Sequence, residues 1–94
     1  MVSLALNHLP VGAEATVMQV RAQDDAAGQD LALRLIEIGF LPGERVRIIA
    51  RGQPGDEPIA VRIGRSTFAL RRHEAGLIGV QPLLQAVSTV EATA

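Results

Sequence analysis

The hydrophobic pattern changes period within one short stretch, residues 33–49, and this change limits the possible fold more than any other feature. Around its first half, Leu31, Leu35 and Ile38 recur at i, i+4 and i+7, which is typical of one face of a helix. Asp30 stands directly before them, and a carboxylate there can accept a hydrogen bond from a free N–H of the first turn. The pattern predicts a short helix that begins after Asp30 and packs through one face.

A turn is predicted directly after this helix. Gly39 suits the C-terminal cap, because the left-handed conformation that ends many helices carries no steric cost for glycine. Pro42 cannot continue a helix, and Pro42-Gly43 fits the central pair of a type II turn. We interpret Gly39, Pro42 and Gly43 as structural turn residues rather than as a binding loop.

Strand patterns account for most of the remaining chain. Residues 44–51 alternate in hydrophobicity, and the face predicted to be buried carries Val46, Ile48 and Ala50. Four more strands are predicted at residues 14–20, 59–64, 67–71 and 77–82. A helix of one turn is predicted at 72–76, before the last strand. About five short strands with one helix after the first indicate a mainly β protein that forms a small closed barrel.

Length and charge set the broad class. The chain has 94 residues, which suits one domain, and its net charge of −1 gives no strong attraction to nucleic acid or to an anionic membrane. Cysteine is absent, which fits a reducing compartment. No apolar run approaches the roughly 18 residues of a membrane span, and no signal peptide is evident. We therefore expect a cytoplasmic protein without direct membrane insertion.

The motifs of common enzymes are incomplete. His73-Glu74 begins like H-E-x-x-H, but Leu77 occupies the position of the second histidine. Gly64 and Ser66 begin like G-x-S-x-G, but Phe68 occupies the position of the second glycine. All nine basic residues are arginines, so no lysine is present for a phosphate-binding loop or a Schiff base. We predict no catalytic residues and no cofactor.

A dedicated metal cage is not predicted, because the chain has two histidines and no cysteine. A loose surface site made by His73 and Glu74 is the alternative. In the simpler interpretation, Glu74 helps to begin the helix of one turn and His73 is merely exposed.

Four segments together resemble one family. They are LPVGAEATV near the start, LRLIEIGFLPGERVRII in the middle, PGDEPIAVRIG after it and FALRRHEAGLIGV near the end. These segments cover most of residues 9–80, and in combination the chain resembles FeoA, the small cytosolic protein of bacterial ferrous iron uptake. Glu57 departs from the Gly-Asp-Pro that the family usually has, and the residues beyond Leu83 have no counterpart. We predict one FeoA-like domain over residues 1–83 and a C-terminal tail over 84–94.

The resemblance implies an SH3-like barrel and a function. It implies a non-enzymatic accessory role, in the transport of a transition metal ion, beside a FeoB-like membrane GTPase-permease for Fe²⁺. Iron and the partner come from the resemblance alone. The alternative is an SH3-like regulatory domain related to the C-terminal domain of iron-dependent repressors. Those repressors have an N-terminal helix-turn-helix, and the residues before Glu14 are too few for one.

A binding module of this composition needs contacts without aromatic anchors. Only Phe40 and Phe68 are aromatic, which removes the groove of peptide-binding SH3 domains and the stacking platform of nucleic-acid binders. Leu33 lies off the apolar stripe of the helix, which Ile36 widens, and two large apolar residues follow in the loop. The predicted partner-binding residues are Leu33, Arg34, Glu37, Phe40 and Leu41. In the alternative, the three apolar ones cover the end of the barrel. A homo-oligomer is compatible with the sequence.

Overall fold

Six antiparallel strands form one curved sheet in the computed structural model, which describes residues 4–83. In chain order the elements are β1 (Leu4–Ala5), a 3-10 turn (Leu6–His8), β2 (Glu14–Val20), α1 (Ala26–Ile38), β3 (Arg45–Arg51), β4 (Ile59–Ile63), β5 (Ser66–Leu70), α2 (Arg72–Ala75) and β6 (Ile78–Pro82). The order of strands in the sheet is β1-β6-β2-β3-β4-β5, so the last strand lies between the first two. The predicted tail, 84–94, lies outside the described residues.

The core lies inside the curvature of the sheet and consists of apolar side chains alone. The strand predicted at residues 59–64 is present as β4, and its alternate residues Ile59, Val61 and Ile63 are all buried. The alternation predicted for β3 is correct only in part. The pairing of β3 with β4 shifts register between Ile48 and Ala50, so Ala50 is exposed rather than buried. An irregularity of this kind turns the following side chains away from their regular faces.

The sequence patterns did not indicate β1. Its two residues, Leu4 and Ala5, pair with Val80 and Gly79 of β6, and two residues are too short for a visible alternation. A side chain of β3 holds the segment after it, since Nη2 of Arg51 donates hydrogen bonds to the carbonyl oxygens of Asn7 (2.7 Å) and Leu9 (2.6 Å).

Helix α1 begins earlier than its apolar periodicity indicates. The N-cap is Asp25 and not Asp30, because Oδ1 of Asp25 accepts a hydrogen bond of 2.7 Å from the backbone N–H of Gly28. The first turn, Ala26-Ala27-Gly28, carries only small residues and shows no amphipathic pattern, so hydrophobic periodicity does not identify it as helical. The predicted N-cap, Asp30, was therefore wrong by five residues.

The C-terminus of α1 closes with a Schellman motif around Gly39, where the sequence predicted a glycine cap. Gly39 has a φ of 131°, and its N–H donates to Ile36 O at 3.0 Å. The next N–H, that of Phe40, donates to Leu35 O at 3.1 Å. These two bonds are the pair that defines the motif, in which the residue after the glycine packs against the last helical turn. Leu35 and Phe40 both belong to the buried core.

The following turn joins the helix to the sheet. Gly43 has a φ of 95°, and the Glu44 N–H donates to Leu41 O at 3.0 Å, as in a type II turn. The turn also binds β2: the Gly43 N–H donates to Val17 O, and the Val17 N–H donates to Glu44 O, each at 2.8 Å. The prediction that Pro42 and Gly43 act as turn residues fits this geometry.

The one-turn helix α2 is anchored at its start by two carboxylates. Oε1 of Glu74 accepts a hydrogen bond of 2.7 Å from the Arg71 N–H, so Glu74 begins the helix as expected. Glu57, the departure from the family's usual turn, accepts one of 2.6 Å from the Arg72 N–H. Nη2 of Arg72 in turn donates to Gly55 O at 2.7 Å. The extra glutamate thus ties its own turn to α2.

Valine in place of Gly39 is expected to lower the free energy of unfolding by more than the about 1 kcal/mol of an ordinary helix glycine change. A Cβ at Gly39 would meet no atom within 4 Å, so the cost comes from the backbone angle and not from a clash. Urea unfolding measures the change. Glu37→Val is the control, because it adds the same side chain at an exposed helical position and should cost no more than about 0.7 kcal/mol. Equal losses for the two variants would contradict the motif.

Candidate partner-binding face

The outer side of α1 carries apolar side chains that the core does not use. Leu33 is 57% exposed and Ile36 is 37% exposed, and residues three apart on a helix are neighbours. Leu41, in the turn after the helix, is 44% exposed. The sequence predicts an outward Leu33 but a buried Ile36, and the exposure of Ile36 differs from that prediction. Its neighbour in sequence, Leu35, takes the central buried position at 2% exposure.

Two charged residues border this apolar side. Arg34 and Glu37 are exposed, as their place off the apolar stripe predicted. They do not pair with each other, because the single ion pair among residues 4–83 joins Arg47 to Glu14. Both side chains are therefore open to a group on another molecule. We call Leu33, Arg34, Ile36, Glu37 and Leu41 the helix face.

Phe40 does not belong to this face. Its buried position corrects the prediction that Phe40 is a partner-binding residue. The side chain is 0% exposed, and its ring lies 6.5 Å from that of Phe68 between centroids. The Schellman motif turns Phe40 inward because the residue after the glycine packs on the preceding turn. An apolar residue directly after the glycine cap, with Leu35 in the last helical turn, is the sequence signal that predicts a buried Phe40.

The side chains that could ligate a metal ion are scattered over the part of the chain that the structure describes. Among residues 4–83, no three of the histidine, aspartate and glutamate side chains lie close enough together to hold one. His73 is exposed, and Glu74 is engaged with the backbone of Arg71. No helix in the same part of the chain is long and apolar enough to cross a membrane, the longest being α1 with 13 residues. The exposed apolar side chains of the helix face are suited to contact with another molecule.

The architecture is that of an SH3-like barrel. A FeoA protein from Stenotrophomonas maltophilia, crystallised with zinc, superposes with a TM-score of 0.73 at 37% identity, over 86% of this chain and 91% of that chain. That protein is described as an SH3 domain protein and a candidate activating factor for bacterial ferrous iron transport. A FeoA-like protein from Clostridium acetobutylicum gives a TM-score of 0.76 at 22% identity, over 90% of this chain and 92% of that chain.

The family model described as the FeoA domain matches residues 4–82. The chain therefore belongs to the FeoA family, and both the resemblance and the SH3-like fold predicted from the sequence are confirmed. No curated protein matches the chain.

The likeness to metal-dependent repressors is also present. A manganese-dependent transcriptional repressor superposes with a TM-score of 0.70 at 25% identity, over 86% of this chain and 42% of the repressor. The match thus spans less than half of the repressor.

Alanine in place of Phe40 is expected to destabilise the fold by about 3–5 kcal/mol, because it leaves a cavity in the core. Leu41→Ala is the matched control at the next position, where the side chain is 44% exposed, and should cost less than about 1 kcal/mol. Thermal unfolding of the two variants separates the roles of these neighbours. If Phe40→Ala keeps the wild-type melting temperature, the buried position of the ring is wrong.

Proposed function

We propose that this protein is a non-enzymatic accessory factor of bacterial ferrous iron uptake, which acts in the cytoplasm by contact with a FeoB-like membrane GTPase-permease. The family supplies the transport system and the identity of the partner. The observation that carries the mode of action is the helix face, with Leu33 exposed by 57% on the side of α1 that points away from the core. A large apolar side chain in that position is stabilised by a partner that covers it.

The composition of the helix face supports a small and reversible contact. It has no Trp or Tyr, which are the residues that most often dominate binding energy, so aliphatic groups and Arg34 remain as anchors. The net charge of −1 gives little long-range steering. Binding should therefore depend only modestly on salt concentration.

The accessory role, as opposed to an enzymatic one, is supported by what the chain lacks. It has no lysine, and a phosphate-binding loop uses its lysine to reach the terminal phosphates of a nucleotide. Both partial motifs, at His73 and at Ser66, lack their second required residue. In this proposal the GTPase chemistry belongs wholly to the partner.

The isolated chain is expected neither to bind nor to hydrolyse GTP. Isothermal titration calorimetry with GTP, together with a phosphate-release assay, tests this expectation. A micromolar dissociation constant for GTP would overturn the assignment of the nucleotide chemistry to the partner alone.

Leu33→Ser is expected to reduce copurification with the detergent-solubilised FeoB-like partner, while its melting temperature stays within a few degrees of the wild type. Arg34→Ala/Glu37→Ala should also weaken the contact. Val11→Ser is the control, because Val11 is 55% exposed and lies in the loop before β2, so its loss removes similar apolar surface elsewhere. Normal copurification of the stable Leu33 and Arg34/Glu37 variants would exclude the helix face as the contact site.

A second candidate function is regulation of the kind performed by metal-dependent repressors. The superposition on the manganese-dependent repressor, at 25% identity, favours it. The same preparation of wild-type chain separates the two functions. Retention of a duplex operator DNA, without copurification of the membrane partner, would replace the accessory role by this one.

A further inference from the structure

The outer face of the sheet, distinct from the helix face, gathers three arginines. The register places Glu14 opposite Arg47 and Arg47 opposite Arg62, across β2, β3 and β4. Arg45 lies two residues before Arg47 on β3, so its side chain leaves the same face of the strand. All three arginines are exposed. We call Arg45, Arg47 and Arg62 the arginine face.

The charges of this face are not balanced within the described residues. Like charges directly opposite each other on neighbouring strands destabilise a sheet, and Arg47 and Arg62 form such a pair. Glu14 compensates the charge of Arg47: its Oε2 accepts hydrogen bonds from Nη2 of Arg47 at 2.8 Å and from Nε of Arg47 at 3.2 Å. The arrangement keeps two positive charges side by side at a cost to the free fold.

The other two guanidinium groups retain most of their donors. Arg62 donates from Nε to Gly64 O at 3.3 Å, and no other group within residues 4–83 accepts from it. Arg45 makes no side-chain hydrogen bond or ion pair in the same part of the chain. A guanidinium presents paired N–H donors in a fixed fork, which matches the two oxygens of a carboxylate.

These donors border a shallow groove of about 540 Å³. It is lined by the arginine face together with Glu14, Val46, Ile49 and Gly64. Glu14 is the single carboxylate of this lining, against three guanidinium groups. Ile49 is 39% exposed and gives the groove an apolar end beside the charges. The combination fits a ligand that is anionic and has some apolar surface.

We propose that the arginine face binds an extended acidic segment of another protein, with carboxylates at alternate positions. Residues two apart in an extended chain are about 6.6 Å apart and point the same way, which is the spacing of Arg45 and Arg47 along β3. Three arginines are fewer than the four to eight basic residues that hold a protein on anionic lipid. The lining has no aromatic side chain on which a base of single-stranded nucleic acid could stack. An acidic peptide matches the size, charge and spacing of the groove.

The test uses a short blocked peptide in which glutamate alternates with serine, titrated into the full ¹⁵N-labelled chain at about 0.01 M ionic strength. We expect shifts at the backbone amides of Arg45, Arg47 and Arg62. We expect Arg45→Gln/Arg62→Gln to bind the peptide about tenfold more weakly. The same spectra report whether the variant is folded, and its melting temperature should not fall, because the exchange removes a like-charged pair.

Two controls accompany the titration. Arg21→Gln/Arg71→Gln removes the same charge from exposed positions outside the groove and should bind the peptide with no more than a twofold loss. A second peptide, with glutamine in place of glutamate, should cause no shifts.

Several outcomes would overturn the proposal. They are the absence of shifts with the acidic peptide, equal loss of binding in the two double variants, and equal binding of the glutamine peptide. Equal shifts with inorganic phosphate would mark a general anion site. Stronger binding of phosphatidylserine vesicles or of single-stranded DNA at the same amides would assign the face to a lipid surface or to nucleic acid.

Discussion

The reversal of the chain at Gly39 is the constraint on which the rest of this small barrel depends. Two backbone bonds end the helix there, and they leave Phe40 directed into the core at 0% exposure. Because the next turn also bonds to β2 at Val17, the same short stretch fixes the position of α1 and the start of β3. Packing therefore leaves the opposite side of α1, with Leu33, open to solvent.

Hydrophobic periodicity and turn residues were enough to predict most of this architecture from the sequence. The alternation at residues 59–63 and the turn residues at Gly39 and Pro42-Gly43 are local features, so they can be recognised in the sequence itself. The type of fold followed from the count of strands, and its SH3-like form and its family from the resemblance of four segments.

The misplaced elements depend on contacts that local pattern does not contain. The first turn of α1 is held by Asp25 over small residues, so no apolar periodicity marks it. The two residues of β1 are defined by pairing with β6, about 75 residues later in the chain. Ile36 was expected to be buried and is exposed, whereas Phe40 was expected to bind a partner and is buried. The burial of a side chain depends on the neighbours that pack on it.

Net charge proved a poor guide to local charge in this chain. The total of −1 predicts weak attraction to any charged partner. The sheet register nevertheless places Arg47 opposite Arg62, with Arg45 on the same face, while the helix face is mostly apolar. Two surfaces of different chemistry thus occur on one domain.

The side chain of Arg51 affects the local unfolding of the start of the chain. A strand of two residues at a chain end would ordinarily fray, with its amides exchanging hydrogen at almost no free-energy cost. Here one guanidinium of β3 reaches across to the carbonyls of Asn7 and Leu9, at 2.7 and 2.6 Å. Detaching this segment removes both acceptors from the partly buried guanidinium and exposes Leu6, which is 0% exposed in the fold. The beginning of the chain is thereby joined to the cooperative unit of the central sheet, although their sequences are some 40 residues apart.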